Sequence, residues 1–518
     1  MRRNALYSLL ALAMAASGAQ PAKAQAAGAG DPLLFPKDNF TVETVTVRTS
    51  KGERKVSYHS YKHIPYVAKP IDKDYQSLDV SVPVEVDGAA VNAANAPILF
   101  SNHVGGYMSA SNAGRGGAGR GMMGGPPGGR MGGPPNGMIR GPGGGRGMGG
   151  PGGNSNVSRN TDLALAAGYV VVSPGCRGRD NKAADGTFYG KAPAAVVDLK
   201  AAIRYIRHNA GVMPGNANWI VATGVSAGGA LTSLIGASGN SHLYDSYLKE
   251  IGAADADDNV FAAAPFCPIM DLEHADMAYE WMWGALPAGS ALVDQALSKQ
   301  LKDAFAAYQA SLKLQGKNGF GTLTADNYDK YLLQAYLFPA ANKYLKALTD
   351  DQRKQYLENN KWIAWSGSAA TFTFADYQKH VGRMKSLPAF DDFNLAQPEN
   401  NEFGSKTVDS RHFTEFSLRR GNPSAKLDSD IPTLVNLMNP MYFIGQNNPA
   451  VAPHWWIRLG TSDAHTSLTV AANLAASLEN RNKDVSALMY WDAGHGADQD
   501  AEDMIAWIGG ITGFATRK

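Results

Sequence analysis

The segment WIVAT runs directly into Gly224-Val225-Ser226-Ala227-Gly228, and helix-forming residues follow. A strand, a turn with glycine on either side of a serine, and a helix form a unit with few architectural homes. The turn is tight, and a side chain at Gly224 or Gly228 would collide with the neighbouring strand and helix. The serine is thereby pushed out above the edge of a sheet. The helix that starts beneath it favours negative charge developing there.

The surrounding chain supports such a sheet. Residues 32–107 are strand-rich: TVETVTVRT and KVSYHSYKH alternate apolar and polar positions, and SLDVSVPVEV and APILF follow. GYVVVSPG, WIVAT and NVFAAAPFCPI read as buried strands. Between the first two, Val196, Leu199, Ile203 and Ile206 share one helical face. Strands alternating with helices predict a mostly parallel sheet covered on both faces. Residues 270–430 break the rhythm with aromatics and helix formers and are read as a large, mainly helical inserted cap. The rhythm resumes in 431–518, where HWWIRLG and VSALMYW are strands, and SLTVAANLAASLEN and AEDMIAWIGGI are helices. The core is thus expected in two parts, 30–269 and 431–518.

Two segments stand apart from this core. Residues 1–24 combine Arg2 and Arg3, a short apolar core and Ala22-Lys23-Ala24, the pattern of a secretory signal peptide. An exported protein, periplasmic or secreted, is expected, with no membrane segment in its mature form. Residues 114–153 hold 21 glycines and six prolines among forty positions. Too little can be buried there to offset the ordering entropy, so a flexible insertion is expected, either a spacer or a flap over the site. Without the five arginines of this insertion and Arg2, Arg3 and Lys23, the net charge of +2 becomes −6. That balance points away from nucleic acid. Cys176 and Cys267 each follow a predicted strand, and a disulfide and two buried free thiols both remain open. No HExxH, no Cys/His spacing for a metal and no phosphate loop occurs, so neither metal nor cofactor is expected.

A serine hydroxyl needs a base. In this architecture the chain order is Ser, Asp or Glu, then His, with the last two on loops after late strands. His495 follows VSALMYW and Asp463 follows HWWIRLG, so Ser226, Asp463 and His495 are the expected triad of an α/β-hydrolase fold. Asp492 is the alternative acid, disfavoured by its closeness to His495 in sequence. The oxyanion would lie between the backbone amides of Ala227 and Gly106, the latter in ILFSNHVGGY.

The stretches TGVSAGG, GASGNS, CPIMDLEHADMAYEW, RMKSLPAFD, PENNEFG and WIRLGTSDAHTS resemble bacterial tannases, the tannin acylhydrolases, from about residue 38 to the C-terminus. The resemblance implies a capped α/β-hydrolase that cleaves small-molecule esters of gallic and related phenolic acids through an acyl-enzyme. It implies the same triad, with Lys385 and Glu399 as galloyl-binding residues. A third binding position, two residues after the triad Asp, holds Asp in the family and His465 here. That departure leaves a feruloyl or general aryl esterase as the alternative. A non-catalytic relative is disfavoured because all three triad candidates are present.

Overall fold

The computed structural model of the protein describes residues 30–112 and 153–514. The signal peptide read over 1–24 and residues 114–152 of the glycine-rich insertion lie outside them. Among the described residues, no helix is long and apolar enough to cross a membrane.

One ten-stranded sheet organises the chain. Its principal strands are β1 (Thr41–Thr49), β2 (Gly52–Pro65), β3 (Ser77–Val86), β4 (Ile98–Ser101) and β5 (Val170–Pro174), then β6 (Ile220–Val225), β7 (Ala262–Phe266), β8 (His454–Gly460) and β9 (Asp484–Tyr490). Their spatial order is β1-β2-β3-β5-β4-β6-β7-β8-β9. From β5 to β9 every pairing is parallel. β1, β2 and β3 are antiparallel, and β3 meets β5 antiparallel. This division follows the sequence. β4, β6 and β7 are buried at every residue, as unbroken apolar runs require, whereas β1 keeps an exposed, alternating face.

Helices α1 (Gly153–Ala166), α2 (Ala194–His208) and α3 (Ala227–Ala237) connect the central strands. The predicted face of α2 is the buried one: Val196, Leu199, Ile203 and Ile206 are all inside. Between β7 and β8 the chain leaves the sheet to build the cap. Its helices include α4 (Leu272–Trp283), α5 (Gln295–Leu312), α6 (Phe374–Val381) and the short α7 (Pro398–Glu402), and three two-stranded ribbons accompany them. The last two core helices are α8 (Leu468–Glu479) and α9 (Ala501–Thr512). The fold is therefore the expected α/β-hydrolase with a mainly helical cap. Both cysteines are buried free thiols, which settles the open choice against a disulfide.

Four adjacent parallel strands, β6 to β9, release their C-terminal loops at one edge of the sheet. The two outer loops touch closely. A Cβ at Gly460 would stand 2.0 Å from the Ala493 carbonyl oxygen. Thr461 N donates to Tyr490 O at 2.9 Å and Ser462 N to Ala493 O at 2.9 Å. Gly460→Ala is expected to prise these loops apart, at an overpacking cost of about 1–3 kcal/mol. Urea unfolding measures it, and an unchanged midpoint would show that the contact is slack.

Candidate active site

Ser226 sits between β6 and α3 with φ 63° and ψ −122°, in the left-handed half of backbone space where a non-glycine residue is strained. The structure shows what imposes the turn. A Cβ at Gly224 would lie 2.4 Å from Asn102 Nδ2, and one at Gly228 2.6 Å from Asn102 Oδ1 and 2.7 Å from Val104 O. One at Gly229 would lie 2.4 Å from Phe266 O. Asn102 fastens the turn: its Nδ2 reaches Thr223 O and Gly228 O at 3.1 Å and Thr232 Oγ1 at 2.9 Å. Ser226 is half-buried while its chain neighbours Val225 and Ala227 are buried.

The loop after β4 approaches from the other side. Gly228 N donates to Val104 O at 3.1 Å, which sets this loop against the start of α3. Gly106 has φ +56°, and no atom stands within 4 Å of a Cβ placed there. No described residue accepts a hydrogen bond from the amides of Gly106 or Ala227. The Ala227 amide belongs to the first turn of α3, where N–H groups have no partner within the helix. Arg179 holds the loop from outside, donating from Nε to Gly106 O at 2.7 Å and from Nη1 to Asn401 Oδ1 at 3.0 Å. One guanidinium thus ties the Gly106 loop to α7, which carries Glu399.

Asp463 and His495 meet. Nδ1 of His495 is 2.8 Å from Asp463 Oδ2, and a carboxylate can only accept, so the ring N–H donates. Asp463 is fully buried, and its Oδ1 accepts from His465 N at 3.0 Å. Asp492 turns away toward the cap, bonding His380 Nε2 at 2.7 Å, Tyr356 Oη at 2.9 Å and Ser462 Oγ at 3.0 Å. Burial by itself would lower the pKa of His495. The Asp463 carboxylate and the Cys267 sulfur beside the ring more than offset this, so the pKa is raised.

His465 lies against the same imidazole, with ring centroids 4.2 Å apart and planes at 31°. Burial, and then the neighbouring His495, push its pKa down to about 4; Lys385 adds to this and Asp463 opposes it. His465 is therefore neutral at neutral pH. Lys385 stands with Nζ 3.6 Å from the centre of the Phe390 ring. Its pKa is lowered by burial, against the opposing carboxylates of Glu399, Asp276 and Asp463. Glu399 is buried with Oε2 unpartnered; burial raises its pKa against the pull of Lys385.

The cap is what brings these groups to the sheet edge. Along α4, Asp276 accepts from the amides of Ala389, Phe390 and Asp391 at 2.7–3.0 Å. Glu280 pairs with Arg383, which also donates to Lys385 O at 2.7 Å and Ser386 O at 2.8 Å. Tyr279 Oη donates to Ala464 O at 3.0 Å, and Trp283 Nε1 to Thr466 O at 3.1 Å. Asp276, Tyr279, Glu280 and Trp283 recur at three- and four-residue spacing, so one helical face grips both the Lys385 loop and the Asp463 loop.

Sequence reasoning missed Asn102, Arg179 and the buried Glu402. Burial pushes Glu402 up to about 8 against Arg179 and Lys191, and both of its carboxylate oxygens lack partners. Glu402 had a visible signal, since it stands three residues after Glu399 in PENNEFG.

The fold and this edge define a carboxylic ester hydrolase. A family profile described as BD-FAE matches residues 142–311. Esterase LipQ of Mycobacterium tuberculosis is 39% identical over 90 residues, which is 17% of this chain and 20% of that protein. The Fusobacterium nucleatum tannase structure superposes with a TM-score of 0.75 at 35% identity, covering 92% of this chain and 99% of that one. A tannin acyl hydrolase in complex with ethyl gallate superposes at 0.76 with 33% identity, covering 92% and 98%. The chain belongs to the tannase family.

A base with a raised pKa works only once it has lost its proton. kcat/KM is therefore expected to climb with pH through a midpoint above the ordinary histidine value of about 6.5. Asp463→Asn is expected to lower that midpoint, because the carboxylate that favours the imidazolium is gone. A wild-type midpoint at or below about 6.5 would contradict the electrostatics described.

Proposed function

We propose that the protein hydrolyses esters of gallic and closely related phenolic acids, with Ser226 as nucleophile, His495 as its base and Asp463 orienting the base. The observation that carries this reading is the Asp463–His495 hydrogen bond at the same sheet edge as the strained Ser226 turn. Ser226 Oγ attacks the ester carbonyl as His495 takes its proton. The amides of Gly106 and Ala227 receive the oxyanion. Imidazolium then protonates the leaving alcohol, and water repeats the sequence to free the acid. The ethyl gallate bound to a relative supports a small phenolic ester as substrate.

The acid-recognition side is built from Lys385, Glu399 and His465. A buried carboxylate oxygen without a donor costs roughly 1–3 kcal/mol or more, and a ring hydroxyl of the substrate would relieve that at Glu399. His465 offers a neutral imidazole with one acceptor, where a carboxylate would accept from two adjacent hydroxyls. The chain therefore binds its phenolic acid with fewer charge-assisted contacts than the family pattern.

Purified protein is expected to hydrolyse methyl gallate, and Ser226→Ala to reduce kcat by about 10³-fold or more. Equal rates from the two would end the proposal. His465→Asp restores a charged acceptor worth about 1.5–3 kcal/mol, so it should raise the preference for methyl gallate over methyl ferulate about 10- to 100-fold. An unchanged ratio would remove His465 from recognition.

A further inference from the structure

Cys267 is a buried nucleophilic group at this edge that the hydrolytic steps leave unused. It follows β7, between the Ser226 turn and the Asp463 loop, with φ 36° and 1% exposure. Its amide donates to Arg458 O at 2.6 Å, and its sulfur accepts from Gly496 N at 3.3 Å. The backbone thus holds the sulfur beside the base. One ligand atom each from Cys267, Asp463 and His495 lies within 4.8 Å of the others. The three residues are far apart in sequence, which is why no ligand spacing was visible there.

We propose that Cys267, Asp463 and His495 form a site for a thiophilic divalent cation of the Zn2+ type, whose binding switches the hydrolase off. Thiolate, carboxylate and imidazole are all zinc ligands, with bonds of about 2.3, 2.0–2.2 and 2.0–2.1 Å. Donor atoms around such a tetrahedral ion stand about 3.3–3.8 Å apart, so separations in the cluster, none above 4.8 Å, close by about 1 Å at most, and the His495–Asp463 pair at 2.8 Å opens by about half an ångström. His495 is the partly exposed member of the three, its side chain 22% accessible, while Asp463 and Cys267 are buried. The thiolate biases the site toward soft and borderline ions over Mg2+ or Ca2+.

The chemistry balances without an oxidant. The cation displaces the thiol proton to solvent; where the imidazole is charged, its second proton leaves to solvent as well, so the ring binds neutral. The ion takes Nδ1, the nitrogen that faces Asp463, and the ring proton moves to Nε2, so the lone pair that would accept the Ser226 proton is used. The hydrogen bond to Asp463 is lost, and its carboxylate becomes a ligand. Protons compete for the same atoms, so binding weakens as pH falls.

The switching consequence rests on the function proposed above, but binding does not, and the test separates them. Untagged full-length protein is stripped with EDTA and titrated with Co2+, whose thiolate charge-transfer absorption reports a sulfur–metal bond directly. One equivalent per chain is expected to give the band in wild type, Cys176→Ala and Ser226→Ala, and Cys267→Ala is expected to lose it. Zn2+ is expected to inhibit methyl gallate hydrolysis, EDTA to restore it, and Cys267→Ala to weaken inhibition at least tenfold. If Cys267→Ala does not fold, Cys267→Ser preserves the volume and removes the soft ligand, and the same losses are expected. No band in wild type at saturating Co2+, or Zn2+ inhibition unchanged in the Cys267 variant, overturns the site. A band in a protein that hydrolyses no phenolic ester upholds the site and overturns the function.

Discussion

The hydrogen bond between His495 Nδ1 and Asp463 Oδ2 depends on two loops that leave neighbouring strands being held together from both sides. β8 and β9 run in parallel register as far as Gly460 opposite Tyr490. Backbone bonds beyond that pair continue the zip, and Gly460 lets the Ala493 carbonyl come close. Asp492 then serves as a brace, its carboxylate shared among Ser462, His380 and Tyr356. With the outer acid spent on the cap, Asp463 is left to orient the imidazole.

The cap does more than cover this edge. α4 begins where the chain leaves β7, and its polar face carries the groups that shape two loops. A buried Arg383–Glu280 pair is costly to desolvate and strongly destabilising to break, so its value here is in the geometry it sets. Arg383 spends its remaining donors on the carbonyls of Lys385 and Ser386. Arg179 performs the complementary task across the site, joining Gly106 to α7. The Lys385 loop is therefore fixed to α4 and the Gly106 loop to α7, each by one guanidinium. Neither of them is placed here in contact with substrate.

Local pattern made the core legible. β1, β3 and β8 coincide with the stretches read from periodicity, because their burial follows from their own residues. The serine turn was readable because its glycines answer to steric contacts. Asn102 and Arg179 were not readable. Each acts through bonds to residues far away in sequence, and nothing beside them announces it. The cap was recognisable only as a break in rhythm. Its function resides in tertiary pairings such as Asp276 with the 389–391 amides, which no periodicity encodes. Cys267 lies beside the His495 imidazole rather than beside a second cysteine, a proximity that no sequence spacing encodes.

His465 joins the Asp463 loop to the His495 ring. It is pressed on His495, deprived of charge by burial and by that neighbour, and tied through its amide to Asp463. His465 and His495 thus share one stack. Hydrolysis by this route requires acylation of Ser226, and intact-protein mass spectrometry after rapid acid quench measures that most directly. With a galloyl ester in excess, a transient galloyl adduct is expected, one per chain, located on the peptide containing Ser226. An adduct on any other residue, or hydrolysis at an equal rate by a Ser226→Ala chain, would contradict it.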